Sequence, residues 1–341
     1  MTYLSPVFLF VDLTPIFRGA VVWRPSLRRC RGNIGTTEVQ RFVDNFSAGQ
    51  FEELSDNRIG KKTIFVTNNS SKSRPQYQEK FTALGIPSHV DEIFGSSYSA
   101  AIYISRILKL EPPKNKVFVL GEVGIENELR GENVPFVGGT DPAYRRDMTP
   151  EDWAGIADGS LLDPEVGCVL TGLDLHINYL KLAHAYQYLR RGAVFLATNT
   201  DATFPANHSF FPGAGSMSTP LANMMGTKPV SLGKPSQAMM DAIEGKFQLN
   251  RARTCMVGDR LDTDIKFGVE GRLGGTLAVQ TGVNKKSDWE AEGAAAVPAY
   301  RIGSSIRVSQ TPIVAVQAVI CCLSFSLLSV PCLVMHLRWA S

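Results

Sequence analysis

The chain has 341 residues, 44% of them apolar and 20% charged, with 30 glycines and 19 prolines. This excludes a disordered or collagen-like polymer and fits roughly two globular domains of about 150 residues each. Its 35 Lys and Arg against 32 Asp and Glu leave a net charge of +3, which gives no electrostatic footprint for nucleic acid. The densest basic run, Arg24, Arg28, Arg29 and Arg31, reads as a solvated surface. The six cysteines, at 30, 168, 255, 321, 322 and 332, form no C-x-x-C pair and have no histidine at metal-ligand spacing. That argues against zinc and a disulfide framework, and for a reducing, cytoplasmic setting.

In chain order, the first apolar run, 7–11, follows no basic segment and is too short for a signal-peptide core, so it reads as a strand ending at Asp12. Runs rich in β-branched and aromatic residues follow at 63–66, 116–120, 167–170, 193–197, 255–257 and 276–279. Nearly continuous apolar strands are what a parallel sheet buried on both faces requires. Helix signals alternate with them. Thr149-Pro150-Glu151-Asp152 supplies an N-cap, a proline at the first helical position and two acids in the first turn, and 179–190 and 237–247 are further helices. The class is therefore α/β. The Pro/Lys cluster at 111–115 and the Gly/Pro/Ser stretch at 211–220 read as linkers bracketing an inserted domain. The expected division is a core of 1–112 and 216–305, a cap of 113–215, and an atypical apolar tail of 306–341. No charged residue occurs from 308 to 337, and 313–335 is long enough to span a bilayer as a helix. Hydropathy alone makes this a C-terminal membrane anchor, the alternative to a tail on a cytoplasmic protein.

Three strands end in polar groups suited to a phosphate, and ligands of open α/β sheets bind outside the carboxyl ends of the strands. The strand 63–66 runs into Thr67-Asn68-Asn69-Ser70-Ser71, whose hydroxyls and N–H groups hold a phosphoryl oxygen or simply cap the next helix. Gly233-Lys234-Pro235-Ser236 sets a lysine after a short strand, with a proline opening a helix, and lacks the spacing of a P-loop. Gly258-Asp259-Arg260-Leu261-Asp262-Thr263-Asp264 puts three carboxylates on a turn directly after a buried strand. Clustered acids repel unless a cation or lysine neutralises them, and hard oxygen ligands beside a phosphate fit Mg²⁺. His176, His184, His208 and Cys255 read as structural residues.

In this order and at these separations, the three stretches resemble motifs two, three and four of the haloacid-dehalogenase superfamily. More narrowly, they resemble its eukaryotic 4-nitrophenylphosphatase and phosphoglycolate phosphatase branch. Gly172-Leu173-Asp174 with Tyr179, the stretch 199–205 and Pro212-Gly213-Ala214-Gly215-Ser216 support the resemblance, which covers about residues 61–300. It implies a Rossmann-like core with a parallel sheet, and an α/β cap inserted between motifs two and three. It also implies Mg²⁺-dependent hydrolysis of phosphomonoesters through an aspartyl-phosphate. By position, Thr67, Asn68 and Asn69 would contact the phosphoryl group and Lys234 would neutralise it. Asp259 would hold Mg²⁺, with Asp264 just behind, orienting Lys234 or a metal-bound water. The expected partner is a small phosphorylated metabolite, selected between residues 111 and 215, with a homodimer through the cap consistent with the family and membrane contact only through 313–335.

The first motif departs from the pattern. Asp12 is available as nucleophile and Mg²⁺ ligand at a strand end, or is an ordinary strand-ending acid. Two positions on, where the family carries the aspartate that acts as general acid, stands Thr14. Threonine transfers no proton at neutral pH, and losing a general acid–base costs about 10² to 10⁴ in rate. Two readings stay open: a phosphatase slowed by Thr14, and a scaffold that binds phosphate or a partner without turnover. Residues 24–60 and the tail also depart from the family, and abrupt local breaks around an intact centre are the trace that misplaced exon boundaries leave in a coding sequence.

Overall fold

The computed structural model describes residues 8–12, 63–83, 88–206, 209–279, 284 and 286–302. Thr14 and the tail 306–341 lie outside these residues. The strands are β1 (Phe8–Asp12), β2 (Thr63–Thr67), β3 (Ile93–Gly95), β4 (Lys116–Leu120), β5 (Phe136–Gly138), β6 (Val166–Thr171), β7 (Val194–Ala197), β8 (Thr203–Ala206), β9 (Ser209–Pro212), β10 (Val230–Ser231), β11 (Thr254–Gly258), β12 (Gly275–Val279) and β13 (Tyr300–Ile302). They form a six-stranded sheet in the order β13-β12-β11-β1-β2-β3, a five-stranded sheet in the order β10-β7-β6-β4-β5, and the hairpin β8-β9. The five-stranded sheet is parallel throughout. Val117, Phe118, Val119, Val169 and Leu170 in its middle are shut off from solvent on both faces, as the run of apolar residues requires.

Helices α1 (Arg74–Ala83), α2 (Ser96–Ile102), α3 (Val123–Gly131), α4 (Pro150–Asp158), α5 (Tyr179–Arg190), α6 (Ala214–Met225) and α7 (Gln237–Phe247) cover the sheets. All seven residues of α2 are buried, because this helix is shared. Its Tyr98 and Ile102 pack with Val66, Phe94 and Met256 of the six-stranded sheet. Its Ala100 and Ala101 pack with Val117, Val119 and Leu170 of the five-stranded sheet. Among the described residues, no helix is long and apolar enough to cross a membrane.

The second sheet does not end its claim on the chain at residue 215: Leu221 of α6 packs among Val169, Leu180 and Tyr188, and β10 pairs with β7. The inserted layer therefore runs on to Ser231, and the Gly/Pro/Ser stretch at 211–220, whose composition suits a linker, supplies the end of β9 and the start of α6. Strand β1 occupies the middle of the six-stranded sheet and runs antiparallel to both β2 and β11. Phe8-Leu9-Phe10-Val11 is apolar on both pleat faces, so its pattern fits a doubly buried slot in either direction and does not fix which way it runs.

Candidate active site

Two sheet edges converge on one loop. Phe8 pairs with Val66 and Leu9 with Val257, so the carboxyl ends of β2 and β11 lie level, two strand spacings or about 10 Å apart. Thr67 stands at one end and Gly258-Asp259 at the other. From the second sheet, Leu232 N donates to Ala197 O at 2.9 Å, and the chain then turns directly into Gly233 and Lys234.

Local hydrogen bonds set the loop after β2. Asn69 Oδ1 accepts from Ser71 N and Ser71 Oγ, both at 2.7 Å, which is an Asx turn. Gln76 Oε1 accepts from Ser73 N at 2.8 Å as α1 begins. The Asn69 carboxamide oxygen therefore shapes the loop. The Asn68 carboxamide is committed elsewhere. Its Nδ2 donates to Lys234 O at 3.0 Å and to the two carboxylate oxygens of Asp201 at 3.1 and 3.2 Å, while its Oδ1 accepts from Lys234 N at 2.7 Å. An amide nitrogen has two hydrogens, and both point at these partners, so what Asn68 can offer a phosphoryl oxygen is its main chain. Its carbonyl oxygen accepts from Ser96 Oγ at 2.6 Å and from Asn199 Nδ2 at 2.7 Å.

Lys234 lies beneath the loop. Its Nζ donates to Asp264 Oδ1 at 2.8 Å and to Val66 O at 3.1 Å, and both side chains of the pair are at most 1% exposed. Asp264 Oδ2 accepts from Arg260 N at 3.0 Å, closing the turn after β11. A Cβ on Gly258 would meet Asp264 Cγ at 2.6 Å, so the return of Asp264 over the strand end requires glycine there. Burial opposes both charges. It holds the Lys234 ammonium below its ordinary range, and it pushes Asp264 up to about 7, against the pull of Lys234 and with help from the nearby Asp259 charge.

Asp259 is buried, whereas Asp262 faces solvent and pairs with Arg260 at 2.8 Å. Two buried carboxylates whose charges oppose each other, with one lysine hydrogen-bonded to Asp264, form a hard-oxygen donor set left with negative charge. That set fits a divalent cation such as Mg²⁺. Lys234, Thr67, Asn68, Asp259 and Asp264 are thus gathered at the facing edges of the two sheets.

Asp12 is not gathered there. It pairs with Thr254, the first residue of β11, four positions or roughly 13 Å along the strand from Gly258. The antiparallel course of β1 is the reason. Asp201 and Asn199, which the motifs leave without a role, follow the carboxyl end of β7 much as Asn68 follows β2. Asn-x-Asp directly after a buried strand was the available signal. A further group, Glu122, Asp174 and His176, has ligand atoms within 4.8 Å of one another. Its charges already have partners, Lys181 on Asp174 at 2.7 Å and Arg145 on Glu122 at 3.1 Å.

Residues 47–135 match the haloacid dehalogenase-like hydrolase family model, and residues 231–307 match a second model of the same kind, described as HAD-hydrolase-like. The chain is 46% identical over 254 residues to a 4-nitrophenylphosphatase of Schizosaccharomyces pombe, covering 74% of this chain and 84% of that one. It is 41% identical over 234 residues to the chloroplastic phosphoglycolate phosphatase 1A of Arabidopsis thaliana, covering 67% of this chain and 62% of that one. Among solved structures, a glycerol phosphate phosphatase from Mycobacterium tuberculosis in complex with magnesium superposes with a TM-score of 0.56 at 28% identity, over 70% of this chain and 64% of that one. The chain belongs to the haloacid dehalogenase-like hydrolases, in the branch of the 4-nitrophenylphosphatases and phosphoglycolate phosphatases.

Proposed function

We propose that the protein is a Mg²⁺-dependent hydrolase of small phosphoric monoesters, with 4-nitrophenyl phosphate as an artificial substrate and 2-phosphoglycolate as a natural one. The observation that carries this reading is the buried Lys234–Asp264 pair, set under the Thr67 loop and level with Asp259. The names of the relatives and the magnesium of the mycobacterial structure support it. Lys234 presents a fixed positive charge to the phosphoryl oxygens, and its bond to Asp264 keeps the ammonium protonated despite burial. The Thr67 hydroxyl and the main chain of the loop orient the group. Asp259 would hold Mg²⁺, with Asp264 behind it. The bound ion would neutralise charge on the transferring phosphoryl group. The second sheet, whose loop after β7 reaches Asn68, would cover the site and exclude water. Such an arrangement works by positioning and electrostatic stabilisation, which carry most of phosphoryl transfer.

A second reading, binding of phosphate without turnover, is favoured by the place of Asp12 at the far end of β1. An aspartyl-phosphate route needs that carboxylate at the opposite edge, with β1 running the other way. The test is hydrolysis of 4-nitrophenyl phosphate with Mg²⁺ and with chelator, beside calorimetric titration of orthophosphate, for the wild type, Asp12→Asn, Lys234→Met and Asp259→Asn. The expected result is Mg²⁺-dependent turnover that falls by at least about 10²-fold in Lys234→Met and Asp259→Asn. Turnover lost in a folded Asp12→Asn would assign Asp12 a part in the chemistry and count against the second reading. Phosphate binding without turnover selects the second reading, and neither binding nor turnover rejects both.

A further inference from the structure

The hydrogen-bonding of Asn68 determines which way its amide faces. With Oδ1 toward Lys234 N and Nδ2 toward Lys234 O and the Asp201 carboxylate, every contact pairs a donor with an acceptor. The opposite orientation would set an amide oxygen against three oxygens, and an NH₂ against an N–H. Asp201 therefore holds Asn68 in the orientation in which it grips the main chain of Lys234 from both sides. Asp201 is itself held by its main chain. Its N donates to Asn199 Oδ1 at 3.1 Å, and its O accepts from Gly215 N at 2.9 Å at the start of α6. Both partners belong to the segment that leaves β7 and returns through α6, so the carboxylate is delivered by the second sheet to a loop of the first.

We propose that Asp201 is a positioning residue for the phosphoryl site. By fixing the Asn68 carboxamide, it sets the Thr67 loop and Lys234 at one spacing, and it does so only while the five-stranded layer is docked. It acts through Asn68 and not on the substrate. The inference rests on the phosphatase reading only in taking phosphate as the ligand. Its scale follows from the bonds: a hydrogen bond to a charged group contributes enough for about a tenfold change in affinity.

The test is calorimetric titration of orthophosphate, in the presence of Mg²⁺, into the full chain and its variants. Asp201→Ala is expected to weaken phosphate binding about tenfold. Asp201→Asn, whose Oδ1 still accepts from Asn68 Nδ2, is expected to stay within about threefold of the wild type. Asn68→Ala combined with Asp201→Ala is expected to bind no worse than Asn68→Ala alone, because the two residues act as one unit. Unchanged affinity in Asp201→Ala overturns the proposal, as does additivity of the two changes. Should Asp201→Ala fail to fold, Asp201→Asn decides: a loss as large as that of Asn68→Ala would mean that the charge or proton of Asp201 acts directly, and would overturn the positioning role. A wild type that binds no phosphate overturns both this proposal and the functional reading beneath it. A wild type that binds phosphate, with Asp201 variants that bind equally well, overturns this proposal alone.

Discussion

Lys234 and Asp264 hold each other's charge in a place where neither would keep it alone. Removing one partner of such a pair leaves an uncompensated buried charge and costs about 3–5 kcal/mol, whereas neutralising both costs much less. Lys234→Met is therefore expected to lower stability by that amount in urea denaturation, and Lys234→Met with Asp264→Asn is expected to regain most of it without regaining phosphate binding. The sign of the pH dependence follows. Without Lys234 the buried carboxyl of Asp264 stays protonated in the folded state, while in the unfolded chain it ionises near pH 4. The folded wild type gives up this proton near pH 7 and the variant does not, so the deficit of Lys234→Met grows as pH rises above about 7 and is smaller at pH 5 than at pH 8. The residues of this pair were legible in the sequence, because a lysine and three carboxylates after buried strands are hard to explain otherwise. The commitments of Asn68 were not, since a carboxamide reads alike whether it faces a ligand or another strand's main chain.

Helix α3 begins against the loop that follows β2. A Cβ at Gly124 would fall well inside contact distance of the main-chain atoms of Ser71 and Lys72, and Arg74 just beyond donates from its N and Nε to the Glu128 carboxylate of the same helix at 2.6 and 3.0 Å. In an isolated helix, glycine to alanine would stabilise by about 0.5–1 kcal/mol. Here Gly124→Ala is expected to do the reverse, lowering the melting temperature and weakening orthophosphate binding by forcing α3 off the loop. Glu128→Gln should move stability more than binding. At this scale the sequence announced its parallel strands clearly, because Val117-Phe118-Val119 and Cys168-Val169-Leu170 leave no polar face. It concealed the direction of β1 for the same reason. It also concealed α6, whose Gly213-Ala214-Gly215-Ser216 and Pro220 look like a linker. The glycines there allow close approach to the main chain at residues 200–201, and the burial of Leu221 outweighs the poor helix-forming residues.

The two sheets share α2, which packs into a hydrophobic core of each of them. Loss of either core exposes a face of that helix, and unfolding is expected to proceed as a single transition. Its pH dependence includes a contribution from the second layer. His184 is buried, stacked on Phe118 with ring centroids 5.9 Å apart, and burial holds its imidazole below the ordinary histidine range. Unfolded, it takes up a proton near pH 6.5, and the folded layer resists that uptake. Below about pH 6.5 the unfolded state binds more protons, so stability falls as pH falls. Urea denaturation followed by circular dichroism should show a loss between pH 7.5 and 5.5 that is shallower in His184→Phe. A variant with an unaltered slope would remove His184 as the cause.

Asn68 finds Asp201 at a sequence separation of 133 residues and Lys234 at 166. Bringing such distant segments together carries a loop-closure entropy that no neighbouring contact offsets, and contacts of this range form slowly. The strands of the intervening layer shorten that search once they have assembled, since they carry Asp201 and the approach to Lys234 to their places. In a refolding experiment, helical signal and burial of the aromatic rings should therefore return before affinity for phosphate does. A newly made chain would be compact for some time before its ligand site existed.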